Sequence, residues 1–97
     1  MENVHRIEIV IDAPNSGRVL ELLADQGLRD YTLIGGVSGA GERGVQRGDD
    51  ITGVSNNTYI LTTCLPERLE AVTSALRALL SRVGGLCLVS DARRVRH

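Results

Sequence analysis

"NTYILTTCLPERLEAVTSALRALLSRVGGLCLVS", residues 57–90, changes its hydrophobic period twice. Asn57–Leu65 is rich in Thr, Ile and Tyr, residue types that fit a pleated, half-buried surface, and predicts a strand. Pro66 follows it, and a missing N–H costs nothing in the first turn of a helix. From there Leu69, Val72, Leu76, Leu79, Leu80 and Val83 recur at i, i+3 and i+4, the stripe of a helix lying on a sheet. Gly84 and Gly85 end that stripe, and the apolar run Leu86–Ser90 predicts a short strand. This half of the chain therefore reads strand, helix, strand.

The same unit precedes it. "VHRIEIVI", Val4–Ile11, puts Ile7, Ile9 and Ile11 on one face by period two, with Glu8 and Val10 on the other. "NSGRVLELLADQG" offers Asn15 or Ser16 as an N-cap, apolar Val19, Leu20, Leu22 and Leu23, and Gly27 as a stop. "YTLIGGV" predicts a second strand weakened at its far end by glycine. The order βαββαβ predicts an α+β, ferredoxin-like sandwich in one domain, residues 1–97: a four-stranded antiparallel sheet in the order 4-1-3-2 with two helices on one face. Arg6 and Glu8 alone would not wet the other face, which favours self-association. A chain of 97 residues buries only about 60–65% of its unfolded surface, and that points the same way.

Composition excludes several classes of function. The net charge is -1, all 11 basic residues are arginine, and the only aromatic residues are Tyr31 and Tyr59. A nucleic-acid binder would show a basic excess or stacking platforms, so none is expected. No apolar run approaches the ~18 residues of a membrane helix, and the expectation is a soluble, cytoplasmic protein. Cys64 and Cys87 lie in separate apolar stretches without metal-ligand or redox spacing. In the 4-1-3-2 order the first strand separates them by about 10 Å, beyond the reach of a disulfide.

Three stretches could carry chemistry. In "SGAGERG", Ser38–Gly44, Gly39 and Gly41 let backbone N–H groups approach an anion and Arg43 can supply charge; equally, the stretch can be a hairpin linker. It lacks the P-loop and dinucleotide fingerprints. In "DARRVRH", an extended chain would point Arg94 and Arg96 to one side about 6.6 Å apart, two guanidinium forks suited to phosphate; the alternative is a solvated tail. "RVGG", Arg82–Gly85, is a helix stop or an anion-facing corner.

In order and spacing these stretches resemble the PII signalling proteins. "GLRDYTLIGGVSGAGERG" is similar to that family's helix–strand–loop, "PERLEAV" to its second-helix start, and "GGLCLVSDARRVRH" to its glycine turn, last strand and paired-arginine ending. The resemblance implies a homotrimer of ferredoxin-like subunits binding adenine nucleotide between neighbours. It implies that Thr32 lies near the adenine, that Gly39 and Gly41 form the base of a flexible T-loop spanning about 42–57, and that backbone at Thr62, Thr63 and Cys64 contacts the nucleotide. It places Gly84 and Gly85 beside the phosphates and makes Arg94 and Arg96 their ligands.

Two departures refine the expectation. The glycine turn is short and lacks the lysine that serves the outer phosphates, which favours ADP or AMP over ATP. The loop lacks the family's modified tyrosine, so glutamine sensing through it is not expected. The chain is most similar to the PII-like proteins associated with carboxysomes. That resemblance implies bicarbonate as a second ligand, a planar oxyanion that Gly41 and Gly44 can hold as a backbone nest and Arg43, or Arg47, as a fork. It also implies an effector protein such as a bicarbonate transporter, which would bring the protein to the membrane periphery, and a role in carbon uptake or fixation rather than catalysis. The alternatives are a small phosphate-handling enzyme and a structural or metal-tolerance trimer. The first needs a water-orienting base, and His5 and His97 lie at the ends of the chain, where solvated residues are expected. The second needs a ligand cluster that the spacing does not supply.

Overall fold

The computed structural model describes residues 1–38, 40–41, 44–45 and 56–97. Gly39, Arg43 and most of the expected T-loop, 42–57, lie outside the described residues. The elements are β1 (Glu2–Asp12), α1 (Ala13–Asp25), β2 (Thr32–Val37), a two-residue pair β3 (Ala40–Gly41) and β4 (Gly44–Val45), β5 (Asn57–Cys64), a 3-10 turn (Pro66–Arg68), α2 (Leu69–Val83) and β6 (Leu86–Arg94). The main sheet has the order β2-β5-β1-β6, and every pairing in it is antiparallel. This is the 4-1-3-2 arrangement of a ferredoxin-like fold.

Two periodicities meet in the core. Ile7, Ile9 and Ile11 of β1 and Ile60 of β5 project from one face of the sheet and are fully buried. They pack with Val19 and Leu23 of α1 and with Val72, Leu76 and Leu79 of α2. Each aliphatic side chain of this size contributes roughly 1.5–3 kcal/mol by leaving water, so this cluster carries most of the fold's stability.

Several element ends differ from the sequence expectation: β1 begins at Glu2 rather than Val4, and Pro66–Arg68 forms a 3-10 turn ahead of α2. Helix α1 begins at Ala13, with extended Asp12 before it and Pro14 in its first turn, rather than after Asn15 or Ser16. Proline fits that turn, and Asn15 Nδ2 instead donates back to the Asp12 carboxylate at 2.9 Å. Strand β6 continues past Ser90 through Arg94, because Glu2–Val4 of β1 extends far enough to pair with it. The run Asp91–Arg94 is thus strand, and only Val95–His97 lie beyond it.

The face opposite the helices forms rows across the sheet. Ile34, Tyr59, Val10 and Leu86 make one row, and Thr32, Leu61, Glu8 and Leu88 the next. Thr63, Arg6 and Ser90 follow, then Val4 with Ala92, then Glu2 with Arg94. Ile34, Leu86 and Leu88 are about half exposed, so one end of this open face is apolar and the other charged.

Gly85 marks a close approach. Its φ is +116°, and a Cβ there would stand 2.8 Å from the Val10 carbonyl oxygen. Gly27 also has positive φ, +84°, but open space around it. Gly85→Ala should therefore lower the melting temperature clearly more than Gly27→Ala, whose cost is about 1 kcal/mol from backbone strain alone. Leu76→Ala, which empties core volume, should cost about 2–5 kcal/mol in denaturant titration.

Candidate functional site

The residues singled out from sequence spread along the sheet. Arg94, at the close of β6 and followed by Arg96, lies at one end; Cys64, Thr63 and Thr62, at the close of β5, stand opposite His5, Arg6 and Ile7 of β1, and Thr32, at the start of β2, lies in the row of Leu61 and Glu8. At the other end lie Gly84 and Gly85 before β6, and Gly41 and Gly44 of the β3–β4 pair that follows β2. Between Val10–Leu86 and Glu2–Arg94 the register advances eight residues along β1. At ~3.4 Å per residue, the glycine turn and the arginine are about 27 Å apart. The backbones of the glycine turn and of Arg94 thus stand at opposite ends of the β1–β6 pair.

The arginine end is a connected polar site. Arg94 donates from Nε and Nη2 to Glu2 Oε1, at 3.1 and 2.5 Å, and from Nη1 to Thr63 Oγ1 at 3.2 Å. The diagonal from Arg94 to Thr63 crosses β1 at Val4, which is only 3% exposed although it belongs to the open face. The guanidinium's bond holds the Glu2 carboxyl below its ordinary range, and Arg96 adds to that pull. Thr62 turns to the helix side, where it is buried and its Oγ1 donates to the Asp30 carbonyl at 2.8 Å. Cys64 also faces the core. Their backbone is another matter, since β2 begins only at Thr32, opposite Leu61. Past that point residues 62–64 have no strand partner on this flank. Thr32 is exposed beside them.

Next to this end a polar ladder crosses three strands. Arg6 Nε donates to Ser90 Oγ at 3.1 Å and stands 3.4 Å from Glu8 Oε1. Tyr59 OH donates to Glu8 Oε2 at 2.8 Å, and holding that proton for Glu8 pushes the phenol pKa up. His5 is not the solvated terminal residue expected: its side chain is 21% exposed, with Nδ1 3.0 Å from Asp91 Oδ1 but off the hydrogen-bonding direction. Burial raises both thiol pKa values, and Cys64 and Cys87 are free, opposite His5 and Ile9 of the intervening strand. Among the described residues no three His, Cys, Asp or Glu gather as a metal site, and no helix is long and apolar enough to cross a membrane.

Sequence reading missed Glu2. Its signal was the period-two phase of β1, which puts Glu2 on the face of Arg6 and Glu8. Its partner could be found only through the register with β6.

With fold and site in place, residues 4–97 match the model of the nitrogen regulatory protein P-II family, and the chain belongs to that family. Among solved structures it is similar to CPII, a nitrogen regulatory PII-like protein from Thiomonas intermedia K12 bound to ADP, AMP and bicarbonate. The identity is 20%, coverage is 97% of this chain and 90% of that one, and the TM-score is 0.84. GlnK of B. subtilis, in complex with ATP, is 20% identical over 95% of this chain and 84% of its own, with a TM-score of 0.66. CutA1, a divalent ion tolerance protein of Ehrlichia chaffeensis, shares the fold at 9% identity over 99% of this chain and 87% of that one, with a TM-score of 0.72. At such identities the likeness is one of fold. No curated protein matches the sequence.

The Glu2–Arg94 pair has a pH signature. A carboxyl whose folded pKa is depressed stabilises the fold above its unfolded value and loses that contribution as the pH falls through the folded one. Carboxyl NMR should find Glu2 titrating below the ordinary 4.5 in the wild type and returning toward it in Arg94→Ala. The melting difference between wild type and Glu2→Gln should shrink as the pH drops below that value.

Proposed function

We propose that the protein is a regulatory homotrimer that binds adenine nucleotide, ADP or AMP ahead of ATP, in clefts between its copies. The carrying observation is the separation of the glycine turn from Arg94, whose backbones lie at opposite ends of β1. A cleft between neighbours unites what one chain keeps apart: Gly41, Gly84 and Gly85 from one copy, and Thr32, Thr62, Thr63, Cys64, Arg94 and Arg96 from the next. The half-exposed Ile34, Leu86 and Leu88 supply apolar surface for such an assembly. Membership of the P-II family and the ligands named for CPII favour the same reading.

Two guanidinium groups and no lysine at the turn suit a short phosphate chain. Bicarbonate is the second ligand in this reading, taken by Gly41, Arg43 and Gly44. The loop over 42–57 carries the signal to an effector, a bicarbonate transporter or another component of carbon uptake or fixation. The role is sensing, without catalysis.

Light scattering should give the mass of a trimer, and Leu88→Glu should reduce it by placing a carboxylate on the apolar rows. Calorimetric titration should show AMP and ADP binding, weakened more than tenfold when Arg94 and Arg96 are both replaced by alanine, since each charge-assisted hydrogen bond contributes about 1.5–3 kcal/mol. Bicarbonate and nucleotide should each tighten the other by the same factor, about fivefold or more. A monomer that binds none of the three nucleotides AMP, ADP and ATP would overturn the reading.

A further inference from the structure

The arginine end already holds an anion, and it belongs to the chain itself. Arg94 has five N–H donors, and three are engaged. Its Nε–Nη2 edge, the fork that takes a phosphate through two parallel bonds, is closed on one oxygen of Glu2. Arg96 acts on the same carboxyl, so Glu2 stands where the fields of both arginines meet. A cross-strand tie is the ordinary use of such a pair. Here β1 and β6 are already joined over Glu2–Val10, and the pair sits at the last rung, where the register needs no further support.

We propose that Glu2 is an internal competitor for the anion site: its carboxylate occupies the Nε–Nη2 edge of Arg94 in the ligand-free chain, and a nucleotide phosphate gains that edge only by displacing it. The inference rests on the nucleotide reading above and adds a residue that sets affinity and selectivity. A carboxylate in place imposes a threshold. A phosphate carrying close to two charges outcompetes it, whereas a singly charged oxyanion offers Arg94 nothing better than Glu2 already does. The Thr63 hydroxyl holds the other side of the guanidinium throughout, so displacement frees the fork without releasing the side chain.

The sign of the effect separates this role from a structural one. A tie that merely positions Arg94 would, on removal, weaken nucleotide binding; a competitor would, on removal, strengthen it. The pair is partly exposed, with the Glu2 side chain 24% accessible, so the population it withholds is modest. Glu2→Gln should tighten AMP and ADP binding about two- to tenfold, with the larger gain at low salt.

AMP and ADP are titrated calorimetrically into the wild type, Glu2→Gln, Arg94→Ala and the double variant, with melting temperature and light scattering checked for each. Tighter binding by Glu2→Gln that vanishes in the Arg94→Ala background supports the competitor. Binding by the wild type that Arg94→Ala weakens but Glu2→Gln leaves unchanged or weakens overturns the competitor and keeps the nucleotide reading. Binding by none of four folded proteins overturns both.

Discussion

Strand β1 is the constraint on which the rest depends. It is paired on both edges, to β5 and β6, and its isoleucines at 7, 9 and 11 are sealed beneath both helices. Because side chains alternate along a strand, a slip of one residue would turn those isoleucines to the open face and drive Glu8 into the core. The register is therefore fixed by apolar burial at the middle of the strand. Glu2 meets Arg94, and Arg6 meets Ser90, only as a consequence of that burial.

The open face combines apolar rows with charges that answer one another. Glu8 lies among Leu61, Leu88 and Val10, yet it accepts from Tyr59 and stands beside Arg6. A carboxylate without these partners would resist being covered, since desolvating an unpaired charge is costly. With them the ladder can be enclosed along with its apolar neighbours, and its donors and acceptors restrict how a second surface can be laid on it.

Much of this architecture is legible in the sequence because the two periodicities are clean. The stripe from Leu69 to Val83 and the alternation from Ile7 to Ile11 each admit one reading, and their order leaves few topologies. The ends are harder. Helix α1 starts where Pro14 permits, ahead of the better capping residues Asn15 and Ser16. Asp91–Arg94 looks too charged for a strand, and becomes one because β1 has backbone groups waiting for it. The arginine pair could be suspected from its spacing and from family resemblance. That Glu2 holds Arg94, and that Thr62 faces inward while Thr63 faces the arginine, depends on register and on where β2 stops, which no single segment encodes.

The distance between the glycine turn and Arg94 has a genetic corollary. In the proposed assembly a ligand that touches both draws them from two chains, so each complete cleft has two parents. A chain crippled only at its arginine end and a chain crippled only at its glycine end would each be inert alone. Co-expressed, they would still assemble some junctions at which both sound halves face each other, and two defective alleles would rescue one another in part. A ligand pocket contained within one subunit could show no such complementation.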